Sequence, residues 1–345
     1  MDDKLKDLIL NEPMLSDGPL DFPVRLRLAR NISKYPFPHQ LNKKQAEKVV
    51  MEVIDALHKV CDGTYLVIHM HDTDKLTRDL MVERHIISPE FADDGFGKSL
   101  IWFPESGLRI LVNEEDHMRI SYCGEGRNLK KLWKELDVFE TSLAEELNFA
   151  FDKEFGYLTS CPTNLGSGLR ISTIMFLPSL RVTRKINTIF DLISGLGFII
   201  RGFYGEGSPS FANFYQIASG SVLGKTEKEI CGNFEAVVSV IKQQEINAAD
   251  RVNISIIKRN IRIFIDRIST GASGISFNHA INGLSLLLFG KKLGIIQIEE
   301  NILKRLIYKI MPASLKFEAG GDLKREEQDF MRCRVLGHML RGVYV

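Results

Sequence analysis

The sequence has few of the features that mark secreted, membrane or metal-binding proteins. Its 345 residues include five cysteines, and no two of them form a C-x-x-C pair, so neither a disulfide framework nor a zinc knuckle is indicated. No apolar run approaches the roughly 18 residues of a membrane span, and the charged N-terminal stretch MDDKLKDLIL has no signal-peptide core. Because free thiols are typical of a reducing compartment, we expect a cytoplasmic protein with no membrane partner.

The common nucleotide-binding motifs are also missing. The chain contains no G-x-x-x-x-G-K-[ST] loop and no H-R-D or D-F-G pair, and the glycines between Arg201 and Gly207 do not follow the dinucleotide order. The formal net charge is only +1, which does not favour nucleic acid as a partner. Residues 250–345 nevertheless carry 16 Lys and Arg against 9 Asp and Glu. We interpret this local excess as a solvated basic helical face.

Length and composition are those of a two-domain globular protein. A chain of 345 residues exceeds the usual size of a single core, and 44% hydrophobic and 26% charged residues are ordinary proportions. Up to residue 249, short apolar strands are interspersed with amphipathic helices. After residue 250 we predict four helical segments, at 250–268, 276–290, 299–311 and 324–341. The pattern therefore predicts a mixed α+β domain over 1–249 and an all-α domain over 250–345.

Alternating arginines mark the first predicted strand, Val24 to Asn31. Arg25 and Arg27 alternate with Leu26 and Leu28, which puts both guanidinium groups on one face of the strand. Like charges in this arrangement repel each other unless an anion lies between them. An anion-binding face and a solvated edge strand are both compatible with the pattern.

Two further stretches combine charged groups with turn residues. Glu114, Glu115 and Asp116 follow a predicted hairpin, with Arg119 four residues after Glu115. Such a run needs neutralisation by cations or substrate unless it is a solvated acidic turn. The stretch from Cys161 to Arg170, CPTNLGSGLR, joins a thiol, a proline, two glycines and an arginine. It fits a loop whose backbone approaches an anion, and it also fits an ordinary glycine-rich turn.

These residue types meet the needs of phosphoryl transfer to a cationic acceptor. Several arginines suit a triphosphate, because its transfer depends mostly on positioning and on charge neutralisation. Two carboxylates and a thiolate suit the opposite partner, a planar cation such as a guanidinium.

The motifs RLRLARN, NEEDHMRI, GYLTSCPTNLGSGLR and RGFYGEGS, in this order and spacing, resemble those of the ATP:guanido phosphotransferase family. The resemblance covers roughly residues 20–249, continues less tightly through the C-terminal region, and is strongest to bacterial members that phosphorylate protein arginine. It implies a guanido-kinase catalytic domain, with a largely antiparallel sheet flanked by helices. It also implies that the helical C-terminal domain forms a homodimer and has a regulatory role.

The resemblance also implies roles for individual residues. Glu115 corresponds to the carboxylate that holds and deprotonates the guanidinium, Glu206 to a second substrate carboxylate, and Cys161 to the thiol beside the guanidinium. His85 resembles a histidine that stacks on adenine, although a buried or capping histidine fits its sequence context equally well. The residues that the resemblance assigns to ATP are Arg25, Arg27, His85, Arg119, Arg170, Ser172 and Arg201. Mg²⁺ would be held mainly by phosphates and water, so we expect no protein metal site.

For the acceptor, the resemblance implies arginine side chains of proteins. Members with small substrates carry a helical domain before the first arginine strand, whereas Arg25 follows only 24 residues here. Related proteins mark their targets for a Clp-type chaperone–protease. We therefore expect protein substrates with exposed arginine, a Clp-type protease and an activator protein as partners.

Departures from the family pattern leave alternatives open. Relatives usually have Ser-Ser before the first arginine, where this chain has Pro23-Val24, and a proline removes a backbone donor. A catalytically weakened homologue that binds arginine or phosphoarginine proteins is one alternative, and a free-arginine kinase is another. Relatives also bind phosphoarginine through an Arg-Asp-x-x-Arg-Ala motif, whose first arginine is replaced here by Gln328. Asp329 and Arg332 then form either a reduced phosphoarginine pocket or a helix-surface pair.

Overall fold

An antiparallel sheet of eight strands forms the centre of the protein in the computed structural model, which describes residues 2–12, 23–61, 63–93, 95–124, 129–202, 212–270 and 273–343. The strands are β1 (Val24–Arg30), β2 (Leu66–His69), β3 (Ser99–Phe103), β4 (Leu108–Val112), β5 (Met118–Gly124), β8 (Leu169–Phe176), β9 (Ile199–Arg201) and β10 (Phe214–Ala218). They lie in the order β2-β3-β4-β5-β1-β8-β10-β9. A separate short hairpin consists of β6 (Phe151–Asp152) and β7 (Gly156–Tyr157).

The register of β1 divides the sheet into a polar and an apolar face. Arg25 lies opposite Ser172 of β8, and Arg27 lies opposite Arg170, so these four side chains share one face. Leu26 and Leu28 alternate with the arginines, point to the other face and are fully buried. The alternation of arginine and leucine in the sequence therefore places the arginines on the polar face of the sheet and the leucines on its apolar face.

Three long helices cover the apolar face. Leu26, Leu28 and Ile171 of the sheet share one hydrophobic core with residues of these helices. Capping boxes of Asn42 with Gln45 and of Thr226 with Glu229 begin the first and last of them. The helices are α2 (Lys43–Val60), α5 (Leu129–Glu146) and α8 (Glu227–Ala249).

Shorter helices flank the sheet on either side of its centre. One group packs on Leu100, Trp102 and Leu111 at the β2–β4 end and covers part of the polar face there. The members of this group are α1 (Asp2–Asn11), α3 (Lys75–Glu83) and α4 (Pro89–Asp93). At the opposite end, Tyr215 and Ile217 pack with α6 (Pro178–Val182) and α7 (Ile186–Gly195). The middle of the polar face is left open.

Within the described residues, five helices follow residue 250. They are α9 (Ile254–Thr270), α10 (Phe277–Lys292), α11 (Glu300–Lys309), α12 (Pro312–Ala319) and α13 (Arg325–Met339). The sequence predicted only four, with no helix between residues 311 and 324. Pro312 instead occupies the first turn of α12, where a missing N–H is tolerated. The core of this helical cluster includes Phe176 and Phe214 of the sheet, so the cluster packs directly on the β8–β10 end.

Across the described part of the chain, no helix is both long and apolar enough to cross a membrane.

Candidate active site

A cleft of about 1240 Å³ lies on the polar face of the sheet. Its floor is built by cross-strand neighbours, since Arg27 lies opposite Arg170, Arg25 opposite Ser172, and Gln216 opposite Arg201. All of the residues predicted to bind ATP line this cleft, namely Arg25, Arg27, His85, Arg119, Arg170, Ser172 and Arg201. Cys161 and Glu115 line the same cleft. Residues predicted from five separate stretches of sequence are therefore brought together in one place.

Positive charge dominates the cleft. Among the described residues, its lining contains six arginines and three glutamates. Burial, reinforced by the guanidinium groups of Arg119 and Arg170, holds the pKa of Arg27 well below its usual value, and Glu114 offsets this only in part. Burial also lowers the pKa of Arg170, followed by the charges of Arg201 and Arg119. Arginines crowded in this way favour an anion with several charges.

Arg170 and Arg109 illustrate two kinds of arginine in this cleft. The Nε of Arg170 is buried and has no hydrogen-bond partner among the described residues. Arg109, on β4, forms a buried ion pair with Glu12 of the segment after α1 and lies 5.8 Å from the centre of the Trp102 ring. The Nε of Arg109 is likewise buried without a hydrogen-bond partner among the described residues, so the two arginines differ in charge compensation. Glu12 neutralises Arg109, whereas the strongest charges acting on Arg170 are those of Arg201 and Arg119.

The acidic stretch after β4 forms a turn that is held by hydrogen bonds to other parts of the protein, so it is not simply a solvated acidic loop. Asn113 adopts the left-handed region at φ 59°, and its side-chain amide donates to the carbonyls of Ala46 (2.9 Å) and Gly97 (2.7 Å). Its backbone N–H donates to the carbonyl of His117 at 3.0 Å, which closes the turn. Asn113 tolerates this conformation because its short polar side chain forms local hydrogen bonds. The anchored turn fixes the carboxylates of the residues between Asn113 and His117.

The three carboxylates of the turn have different environments. Asp116 is 1% exposed, and its Oδ1 accepts hydrogen bonds from Asn31 Nδ2 and from the backbone N–H of Ser160, both at 2.7 Å. Glu114 forms an ion pair with Arg119 and accepts a hydrogen bond from Ser88 Oγ at 2.7 Å. Only the side chain of Glu115 is substantially exposed, at 40%. The middle carboxylate is therefore the one available to a second substrate.

Glu115 is oriented from both sides. Arg119 Nη2 lies 3.2 Å from its Oε2, and Asn164 Nδ2 donates to the same oxygen at 3.4 Å. Asn164 belongs to the 3-10 turn that follows Cys161. The Cys161 loop and the acidic turn are thus joined at the carboxylate itself, and again behind it through Asp116 and Ser160.

The glycines after Cys161 allow close packing of the loop against neighbouring backbone. Gly168 has φ 66°, and a Cβ there would lie 2.7 Å from the carbonyl of Ala29 and 2.6 Å from Arg30 Nη1. Its own carbonyl accepts a hydrogen bond from the Ala29 N–H at 3.1 Å. Gly166 likewise approaches another backbone segment, with its carbonyl accepting from the Tyr157 N–H at 2.8 Å. Both glycines therefore dock the loop against β1 and β7, and the approach of the loop backbone to an anion stays a prediction.

His85 lies in the wall of the cleft beyond the arginines. Its carbonyl accepts a hydrogen bond from Arg25. Burial, with smaller effects from Arg25 and Arg109, lowers the pKa of His85 to about 3, so its ring is neutral at physiological pH. A neutral imidazole beside the apolar side chains of Val82 and Ile86 can stack on a heteroaromatic ring.

Two features singled out from the sequence are not among the described residues that line the cleft. Glu206 belongs to the residues outside the described ranges, as does the rest of the RGFYGEGS motif after Gly202. The Pro23-Val24 departure lies at the start of β1. The side chain of Val24 is buried in the core beneath the sheet, and the carbonyl of Pro23 lies 3.5 Å from Thr173 Oγ1.

The predicted pair of Asp329 and Arg332 belongs to α13 of the helical cluster. Arg332 is 1% exposed, and it donates to the carbonyls of Ile310 and Ile275, both at 2.9 Å, as well as to Asp329 Oδ1 at 2.5 Å. The helix-surface interpretation of this pair is therefore wrong. Gln328 donates instead to the carbonyl of Leu323 at 3.0 Å. Burial lowers the pKa of Arg332, and Asp329 opposes this effect.

Sequence reasoning missed several cleft residues. Glu114 was noted only as part of the acidic run, although it binds Arg119 more directly than Glu115 does. Arg109 was not singled out, because one arginine within an apolar strand carries no motif. Its position in the alternation of LRILV, on the same face as Leu111, was the available signal. Asn164 lies inside the CPTNLGSGLR stretch, but no motif or spacing in the sequence distinguishes it from an ordinary turn residue.

Comparisons with known proteins match this chain to a family model and to several relatives. The family pattern described as the C-terminal catalytic domain of ATP:guanido phosphotransferase matches residues 45–248. A protein-arginine kinase of Halothermothrix orenii is 36% identical, covering 96% of this chain and 98% of that protein. A protein-arginine kinase of Bacillus thuringiensis subsp. konkukian is 34% identical, covering 98% of each.

A solved structure shares the fold at lower identity. The crystal structure of a lombricine kinase superposes with a TM-score of 0.59 at 22% identity, covering 71% of this chain and 72% of that one. The antiparallel sheet with its flanking helices is therefore a known architecture.

Proposed function

This chain belongs to the ATP:guanido phosphotransferase family, and from that premise we propose that it transfers the γ-phosphoryl group of ATP to arginine side chains of proteins. As a member of the family it is an ATP-dependent phosphotransferase acting on a guanidino group. One observation carries the proposal: a crowded guanidinium face lies in the same cleft as an exposed, oriented carboxylate, Glu115.

The arginines match the requirements of a triphosphate. A polyphosphate would relieve the mutual repulsion that lowers the pKa values of Arg27 and Arg170. It would also give the buried Nε of Arg170 a partner. Arg25, Arg119 and Arg201 complete the set that would neutralise charge developing during transfer. Mg²⁺ bound with ATP supplies further charge neutralisation, held mainly by phosphates and water.

Glu115 supplies the complementary charge for the acceptor. Its carboxylate can receive two parallel hydrogen bonds from a guanidinium, which orients one nitrogen towards the γ-phosphorus. As the N–P bond forms and the bond from phosphorus to the ADP oxygen breaks, Glu115 accepts the proton of that nitrogen. Cys161 adds a sulfur in the same cleft, with its Sγ 3.1 Å from Thr163 Oγ1. We propose Glu206 as the second carboxylate, as the family resemblance implies.

Two observations support a protein rather than a small acceptor. The relatives named protein-arginine kinase match along nearly the whole chain, including the C-terminal helices. The side chain of Glu115 is 40% exposed, so an arginine carried on a polypeptide can reach it. The alternatives, a kinase of free arginine and a binding protein without turnover, remain as outcomes of the test below.

The test is phosphorylation of casein with ATP and Mg²⁺, measured as phosphoarginine by mass spectrometry. We expect Glu115→Gln to reduce labelling at least about a hundredfold, because the substitution removes the base and the charged fork. Glu105→Gln serves as a matched control, since Glu105 is an exposed glutamate in the turn between β3 and β4. The control should label at the wild-type rate.

The remaining outcomes separate the alternatives. Wild-type turnover of free L-arginine without labelling of casein would establish a small-substrate kinase. Binding of arginine-rich protein without turnover of any acceptor would establish a binding module. Labelling that is unchanged in Glu115→Gln would overturn the assigned role of this residue.

Several broader expectations stay predictions. We propose a catalytic domain over 1–249 and a helical domain over 250–345, supported by the end of α8 at Ala249 and by the family match that ends at residue 248. The same set of predictions includes a homodimer, an activator protein and a cytoplasmic location. It also includes a Clp-type protease that consumes the product and a phosphoarginine pocket at Asp329 and Arg332.

A further inference from the structure

The wall of the cleft that carries His85 has a constrained backbone. Helix α3 ends at Glu83, and the N–H groups of His85 and Ile86 donate back to the carbonyls of Val82 and Met81, both at 2.9 Å. This is the hydrogen-bond pattern of a Schellman motif, which usually has glycine in its left-handed position. His85 occupies that position at φ 53°. A non-glycine residue keeps such a conformation only where surrounding contacts hold it.

Glu83 provides one of these contacts by reaching the C-terminal helices. Its carboxylate is 8% exposed and accepts hydrogen bonds from the N–H groups of Ala313 (2.6 Å) and Ser314 (3.0 Å) and from Ser314 Oγ (2.9 Å). These N–H groups belong to the first turn of α12, whose own cap residue, Met311, forms no side-chain cap. The side chain of Glu83 therefore caps the N-terminus of α12, although the two segments lie 230 residues apart in sequence.

The two residues after Glu83 are held from opposite sides. The guanidinium of Arg84 lies 4.7 Å from the ring centre of Tyr308 in α11, at cation–π distance. The carbonyl of His85 accepts a hydrogen bond from Arg25, which is one of the arginines of the cleft floor. Three consecutive residues thus connect α12, α11 and the phosphate side of the cleft.

We propose that Glu83 is a positioning residue for ATP: by capping α12 it fixes the end of α3 and holds His85 in the conformation that the nucleotide requires. Glu83 does not line the cleft, whereas Val82, His85 and Ile86 do. Its effect must therefore pass through the backbone. Burial raises the pKa of Glu83 to about 7, although the hydrogen bonds from Ala313 and Ser314 act in the opposite direction. The inference rests on ATP binding in this cleft and not on the identity of the acceptor.

The decisive variant is Glu83→Gln. Glutamine keeps the size of the side chain but offers one accepting oxygen and no charge to the three donors, so the end of α3 loses part of its anchor. We expect the Kd for ATP, measured by calorimetry without acceptor, and the KM for ATP to rise about tenfold, with kcat and the KM for casein within about twofold of wild type. Ser314→Ala removes one donor and should give a smaller rise of the same kind. Glu318→Gln, on the exposed side of α12, should change none of these constants.

Three results would overturn the proposal. One is an unchanged Kd for ATP in Glu83→Gln together with a lower Tm, since this shows that Glu83 serves only to dock α12. Another is a loss of kcat at saturating ATP with Kd unchanged. If Glu83→Gln does not fold, an unchanged Kd in Ser314→Ala has the same meaning. A wild-type protein that binds ATP but leaves casein unlabelled would count against the protein acceptor alone.

Discussion

At the scale of single residues, Arg27 and Arg30 show how position on one strand decides the role of a charge. Arg30 lies on the apolar side of β1, and its Nε is 2.6 Å from Glu140 Oε1. Its guanidinium also lies 3.5 Å from the ring centre of Tyr157. Arg27 lies on the polar side, where its neighbours are mostly other arginines. Glu140 therefore neutralises the charge of Arg30, whereas the charge of Arg27 lies mainly among like charges and favours an anionic ligand.

We predict that Arg27→Gln stabilises the ligand-free protein while it weakens ATP binding. Removing a charge that is buried among like charges should raise the free energy of unfolding by about 1 kcal/mol. The Kd for ATP should rise at least about tenfold, because one phosphate partner is lost. Urea denaturation and calorimetry measure the two quantities on the same sample.

Arg30→Gln is the matched comparison for Arg27→Gln. It leaves the buried carboxylate of Glu140 without its cation, so the free energy of unfolding should fall by about 3 to 5 kcal/mol. Equal destabilisation by both substitutions would show that the crowding of guanidinium groups around Arg27 carries no energetic cost.

The membership of most cleft residues in one site was predictable from sequence because each lies in a long motif. Arg25, Arg119, Arg170, Cys161 and Glu115 fall in stretches whose charge is difficult to explain without a ligand. Glu83 was not predictable, because its partners are backbone groups of a helix far along the chain. No local pattern indicates a cap that comes from another element.

At the scale of elements, the docking of the Cys161 loop against β1 depends on Gly168. We predict that Gly168→Ala lowers the free energy of unfolding by about 3 kcal/mol, of which about 1 comes from the left-handed backbone and about 2 from contact with Ala29 and Arg30. Urea denaturation measures the change.

Gly224→Ala isolates the backbone contribution. Gly224 also has a positive φ, 74°, but a Cβ there would meet nothing within 4 Å, so its substitution should cost only about 1 kcal/mol. If the two variants are equally stable, the close approach of Gly168 to β1 is not what the loop requires.

Elements with strong periodicity were predicted well, and short ones were not. The arginine strand β1, the hairpin of β3 and β4 and the capped helix α8 follow directly from alternation, turn residues and the capping box. Helix α12 and the strand β5 were missed. Pro312 begins α12, whereas a proline more often indicates that a helix has ended. The three carboxylates before Met118 indicate a turn, although the residues of β5 alternate between apolar and polar. Their existence depends on contacts with other elements more than on local preference.

At the scale of the whole molecule, the helical cluster is part of the fold of the sheet. Phe176 and Phe214 are 4% and 1% exposed because α9–α13 pack over them. We therefore predict that a fragment of residues 1–249 loses cooperative unfolding and associates, since its β8–β10 end would present a bare apolar surface. Scanning calorimetry and analytical ultracentrifugation test this.

A second fragment serves as the control for the first. Phe176→Ser and Phe214→Ser introduced together into residues 1–249 should reduce its association, because the exposed surface becomes more polar. A monomeric unmodified fragment with the Tm of the full chain would contradict the prediction and would establish two independent folding units.

The fifth strand across the sheet is the first of the described strands along the chain, so the sheet around it is complete only after strands from much later in the chain have paired. During synthesis Arg25 and Arg27 leave the ribosome long before β5, β8 and β9 exist, and their pairing must overcome the entropy of closing long loops. Until then the growing chain presents unpaired cations to any polyanion nearby. Because the proposed ATP site needs several of these strands, we expect ATP to stabilise the completed sheet against unfolding, in proportion to the logarithm of the ligand concentration when ATP is well above its Kd.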